Sequence, residues 1–271
     1  MGYYIKTEEN VEIYIEDLNE KNEKTIVFLH GWPGDHNLFE YQFDYLSKKG
    51  YRCIGIDQRG FGNSDKPIGG YDYDTLSDDV YCIVNQLELK DFTLLGHSTG
   101  GAIAIRYMAR HKGCGVNKLI LCGAAAPSLI KRSYFPYGIN KEVVENIIDG
   151  TYNDRPKMLS DFGKIFFYSK VSKPFMEWFF QLGLKAAGWS TAEIAKTWLK
   201  EERLFDDIKR IQVETLIIHG IHDKVCLFPL AEQQNKMIKN SKLVKFMKSG
   251  HGTFYDERDK FNKEVINFIQ Q

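Results

Sequence analysis

Five short, almost uninterrupted apolar runs constrain this chain more than any other feature: residues 25–29, 52–56, 92–95, 119–122 and 215–218. A strand with one wet face alternates apolar and polar side chains. These runs do not, which is the pattern of strands covered on both faces. Between them lie stretches of helical periodicity, 76–87 and 102–110 among them. Strand and helix in alternation predict an α/β fold, a mostly parallel sheet with helices on both faces. The opening differs: residues 3–6 and 11–16 read as a hairpin at the sheet edge, turning at Glu8-Glu9-Asn10.

The rhythm breaks between residues 126 and 205, where four helical stretches (141–148, 158–168, 173–184 and 191–200) follow one another and aromatic residues are dense. The expected organisation is a core of residues 1–125 and 206–271 with a helical cap, 126–205, inserted into it. Most cap aromatics pack the helices onto the sheet, and a few line an apolar pocket beneath. With 271 residues, 43% of them hydrophobic, the chain can bury a large core. Lysine plus arginine and aspartate plus glutamate both number 36, so no net charge marks a nucleic-acid or anionic-membrane surface. No apolar run approaches the ~18 residues of a membrane span. The start, Met1-Gly2-Tyr3-Tyr4-Ile5-Lys6, lacks the basic-then-apolar order of a secretory signal. Five cysteines without CxxC spacing suggest neither zinc nor a disulfide framework, and a reducing, cytoplasmic setting is expected.

Gly96-His97-Ser98-Thr99-Gly100 follows the run 92–95 directly and opens a helical stretch. G-x-S-x-G recurs by chance, but between a strand and a helix it marks a nucleophilic serine at the tip of a strained turn. Glycines two residues to either side relieve the crowding there. Attack on an ester carbonyl creates an oxyanion that needs preorganised donors, one of them worth roughly 3–4 kcal/mol. The backbone N–H of Thr99 is one candidate. The loop after the first buried run, His30-Gly31-Trp32-Pro33-Gly34, offers the N–H of Trp32 as the other, since Pro33 has none.

A serine hydroxyl is a weak nucleophile until a base takes its proton. Of seven histidines, His30 and His97 belong to the two turns, and His36 and His111 lie in polar segments expected to be exposed. His219 ends a buried run, and His222 reads as a loop residue. His251, in Ser249-Gly250-His251-Gly252 just after a strand-like stretch, is the expected base. The orienting acid should follow a strand end between serine and histidine in chain order. Asp223 is the acid of the loop after 215–218, and the loop after 119–122, Gly123-Ala124-Ala125-Ala126-Pro127, carries no carboxylate. Its role is to hold the histidine tautomer without taking the proton.

Together with Asp57-Gln58-Arg59-Gly60-Phe61-Gly62-Asn63-Ser64-Asp65-Lys66-Pro67 and Gly70-Tyr71-Asp72-Tyr73-Asp74-Thr75-Leu76, these segments resemble the α/β-hydrolase superfamily. More narrowly they resemble its non-haem haloperoxidases, aryl esterases and perhydrolases, along nearly the whole chain. The resemblance implies a cofactor-free, metal-free serine esterase acting on small carboxylic esters. It also implies a side reaction in which hydrogen peroxide opens the acyl-enzyme to a peracid. Pocket residues carried over by position are Trp32, Phe162, Phe166, Val225 and Phe228. Asp57 and Arg59 are expected to hold loops by ion pairing. Members of the group often form homo-oligomers, although nothing in this sequence specifies an interface.

Three features depart from the group: Thr99 stands where many members carry methionine, Cys226-Leu227 replaces a common proline, and no proline precedes His251. An aspartate nucleophile, needed by the dehalogenase and epoxide hydrolase relatives, is excluded by Ser98. Lactone, amide and carbon–carbon bond hydrolysis share the triad and stay open, as does a triad-bearing small-molecule receptor with slow turnover.

Overall fold

In the computed structural model, which describes residues 1–22 and 24–271, eight strands form one sheet in the order β1-β2-β4-β3-β5-β6-β7-β8. They are β1 (Gly2–Glu8), β2 (Val11–Leu18), β3 (Thr25–Leu29), β4 (Arg52–Ile56), β5 (Phe92–His97), β6 (Val116–Cys122), β7 (Glu214–Gly220) and β8 (Ser241–Phe246). The hairpin β1–β2 is antiparallel and β2 meets β4 antiparallel, while β4 through β8 pair in parallel. Every residue of β3 and β5 is buried, as runs without alternation require. The register aligns Leu29 with Gly96, Gly96 with Leu121, Leu121 with Ile217 and Ile217 with Leu243. The strands therefore end together, and the loops that follow them share one rim, where α/β sheets bind ligands.

The helices are α1 (Glu40–Lys48), α2 (Tyr73–Gln86), α3 (Thr99–Arg110), α4 (Lys141–Phe166), α5 (Lys173–Lys185), α6 (Gly188–Lys200), α7 (Leu204–Asp207), α8 (Pro229–Met237), α9 (Thr253–Asp256) and α10 (Arg258–Gln270). Helix α2 packs on α3, and α1 on α10; among the described residues, none is long and apolar enough to cross a membrane. Between β6 and β7 the chain leaves the sheet for α4–α7, with α4 packed on both α5 and α6. Two separate helices were expected where α4 lies. They abut instead: Asp154 alone is non-helical (φ −156°, ψ 74°), and its Oδ1 accepts the Lys157 N–H at 3.1 Å. Asp154 thus caps the second half while Pro156 sits in its first turn, where a missing N–H costs nothing.

Ion pairs lock the loops beyond β4. Arg59 is bidentate to Asp79 (2.6 and 2.7 Å) and also reaches Glu8 at 2.6 Å. Asp57 accepts from the backbone and ring of His36 at 2.8 and 2.7 Å. His36 is therefore buried, not exposed as its polar neighbours suggested, because the Asp57 carboxylate supplies the partner that a buried imidazole needs.

Candidate active site

Ser98 links β5 to α3 at φ 54°, ψ −118°, a left-handed conformation that a side chain adopts only under constraint. Its N–H donates to Cys122 O at 2.9 Å, and its carbonyl accepts from Ala125 at 2.9 Å and Gly101 at 3.0 Å. The turn is crowded enough to require the motif glycines: a Cβ on Gly96 would strike the Gly100 carbonyl, and one on Gly100 the Leu29 carbonyl oxygen.

Asp223 and His251 come from the loops after β7 and β8, and both side chains are completely buried. Asp223 Oδ2 accepts from His251 Nδ1 at 2.7 Å and stands 3.2 Å from His219 Nε2. Its Oδ1 accepts the N–H groups of Val225 and Cys226 at 2.8 and 2.9 Å. Burial pushes the Asp223 carboxyl up, but His251 and the contacts with His219 outweigh it and hold the group well below the usual carboxylate range. Asp223 is thus a charged acceptor facing Nδ1, and Nε2 is the ring nitrogen of His251 left outside that pair. Among the described residues that nitrogen has no hydrogen-bond partner, and Ser98 Oγ rests 3.9 Å from Cys226 Sγ. Catalytic hydrogen bonds are often loose in free enzymes and tighten with substrate.

The histidine loop is tied to the end of α4. His251 N–H donates to Phe166 O at 2.8 Å, and the Phe166 ring meets the imidazole edge-on at 4.9 Å. Asp256 accepts from Gly250, Tyr168 and Ser169 N–H at 2.8–2.9 Å, joining both segments through one carboxylate.

A cavity of about 40 Å³ opens at Ser98, with Thr99, Trp32, Phe162 and Val225 in its wall. Trp198, Leu129, Ile139, Val143, Ile147, Ile165 and Lys224 complete the lining. Past Val143 and Ile165 it meets a groove of about 370 Å³ along α4. Phe166 and Phe228, expected in the lining, lie elsewhere. Phe166 packs against His251, and Phe228 turns onto His219 (5.9 Å, 86°) beneath Lys245 Nζ at 5.2 Å. The aliphatic lining was missed, although Val143/Ile147 and Phe162/Ile165 carry the four- and three-residue spacing of helix faces.

His222 stacks on Tyr168 at 4.1 Å, as befits a loop residue. His219 Nε2 donates to Cys226 O at 2.6 Å. Asp35, His36 and Asp57 bring potential ligand atoms within 4.8 Å of one another. Those carboxylate oxygens already accept from Asn37, Lys185, His36 and Asn63, so the cluster reads as loop structure.

Two turn histidines carry a stability consequence. Burial lowers the proton affinity of His30, whose Nδ1 donates to Gly31 O (3.0 Å) while Nε2 accepts from Gln58 N–H (3.0 Å). Burial, then the neighbouring His251, pushes His97 well below 6.5; its Nε2 donates to His251 O at 3.1 Å and its Nδ1 has no partner among the described residues. Both are neutral when folded and free to protonate when unfolded. Below pH ~6.5 each therefore costs stability, at about 1.4 kcal/mol per pH unit. His36 opposes them: burial disfavours its charge, but Asp57 raises its pKa, so its contribution is present at low pH and lost as pH rises through the folded value. The net expectation is a fall in unfolding free energy between pH 7 and 5.5, measured by denaturant titration. A flat or rising profile would argue against two neutral imidazoles.

The chain belongs to the α/β-hydrolase fold family, whose model matches residues 24–258. It is a hydrolase of that family. It is 47% identical over 268 residues to the AB hydrolase superfamily protein YisY of Bacillus subtilis (strain 168), covering 99% of both chains. It is 31% identical to the bifunctional esterase/perhydrolase DCH of Acinetobacter calcoaceticus, with both chains covered completely. Among solved structures it superposes on an esterase from Exiguobacterium antarcticum with a TM-score of 0.97 and 43% identity, again over all of both chains.

Proposed function

We propose that this protein is a serine hydrolase of small carboxylic esters that works through an acyl-enzyme. The observation that carries the reading is the buried Asp223–His251 pair, 2.7 Å apart, with Nε2 left open on the rim where Ser98 is held at positive φ. Ser98 Oγ attacks the carbonyl while His251 Nε2 takes its proton, and the N–H groups of Trp32 and Thr99 hold the oxyanion. His251 then protonates the leaving alcohol. It next activates water, which attacks the acyl carbon, releases the acid and restores Ser98. Residues 126–205 serve as a cap over this site, since α4 and α6 supply Val143, Ile147, Phe162, Ile165 and Trp198 to the cavity.

Hydrogen peroxide in place of water would release a peracid from the same acyl-enzyme, and the relative named as a bifunctional esterase/perhydrolase favours testing it. A panel of p-nitrophenyl esters from acetate to octanoate, with water and peroxide as competing acceptors, tests both halves. The narrow cavity should favour acetate to butyrate over octanoate by at least about tenfold in kcat/KM, since one methylene that a pocket cannot seat is worth 10-fold or more. Preference for octanoate would refute the short acyl site.

A further inference from the structure

Lys224 is the single charged residue in the lining of the catalytic cavity; the other eleven are apolar apart from Ser98 and Thr99. It is exposed, and among the described residues its ammonium forms neither an ion pair nor a hydrogen bond. The adjacent carboxylate does not neutralise it. Both oxygens of Asp223 are turned inward, one held by the Val225 and Cys226 amides and the other by His251 and His219. On the facing helix, Asp161 is taken up by Lys157 and Lys164 at 2.6 and 2.7 Å. A free cation thus stands at the wall of an apolar reaction chamber.

We propose that Lys224 gives the site a preference for small esters or lactones that carry a carboxylate a few bonds from the scissile carbonyl. The inference rests on the esterase reading above. A lysine in such a wall can lay its aliphatic stem on apolar neighbours and keep its head near water, the usual compromise for this residue. A neutral ester gains nothing from that head. A carboxylate brought beside it forms a charge pair at the edge of an apolar cavity, and a partly desolvated pair exceeds the small value of one on open surface. The pair is present in ground and transition state alike, so the preference should lie in KM and leave kcat nearly unchanged.

Rates measured by proton release would compare monomethyl succinate, glutarate and adipate with the methyl esters of butanoate, pentanoate and hexanoate. A second arm, 3-acetoxypropanoate against propyl acetate, places the anion on the alcohol side. In the wild-type protein the kcat/KM ratio of anionic to neutral ester should exceed about tenfold in at least one pair, through KM, and shrink with added salt. Lys224→Arg should retain the ratio, Lys224→Ala should lower it toward one, and Lys224→Glu should invert it. Ester turnover with the same ratio in wild type and Lys224→Ala overturns the inference while leaving the esterase reading intact. Turnover of no ester in either arm defeats both.

Discussion

Replacing Ser98 with alanine is expected to lower kcat for p-nitrophenyl acetate by a factor of about 10⁴–10⁶ and to abolish covalent labelling by a fluorophosphonate. In the proposed mechanism, removing the nucleophile leaves only the oxyanion donors and the cavity, which by themselves retain a modest acceleration over water. The same change should leave the fold intact. Alanine keeps the Cβ that the strained turn already accommodates, and the hydroxyl's hydrogen-bonding approach among the described residues is to Cys226 Sγ at 3.9 Å. The unfolding free energy should move by less than about 1 kcal/mol, so lost activity cannot be attributed to lost structure. Full labelling of Ser98→Ala would place the nucleophile elsewhere and end the proposed mechanism.

The parts of the molecule that were legible in the sequence are those where backbone geometry restricts residue choice. Short apolar runs that do not alternate, spaced between helical stretches, fit strands covered on both faces, and five of the eight strands announce themselves this way. The serine turn was legible because its steric demands leave glycine alone at 96 and 100. Positions decided by the rotation of a helix against its neighbours were harder. Phe162 and Phe166 lie one turn apart on α4, yet one faces the cavity and the other covers His251. Phe228 looked equally suitable from its place in the chain, but a contact with His219 turns it away. His36 misled for the complementary reason: its sequence neighbours are polar, and the carboxylate that permits its burial lies 21 positions along the chain.

Asp223→Asn should reduce kcat about 10⁴-fold while the site keeps its shape, because the hydrogen-bond pattern around residue 223 dictates how an amide must sit. Position Oδ1 faces two backbone donors, Val225 and Cys226, so the amide oxygen has to occupy it. The NH₂ group then faces His251 Nδ1 at 2.7 Å, where it can only donate. Nδ1 must become the acceptor, the ring proton moves to Nε2, and that nitrogen can no longer take a proton. Stability offers a second readout with a definite sign. The Asp223 carboxyl is held below its ordinary pKa, so its contribution is fully present above pH ~4 and fades only as pH falls through the lower folded value. The share of the stability gap that comes from this carboxyl should therefore close only in stronger acid. Activity within tenfold of wild type at pH 7 would mean that Asp223 does not set the tautomer of His251. The base would then have to be sought in another of the buried histidines.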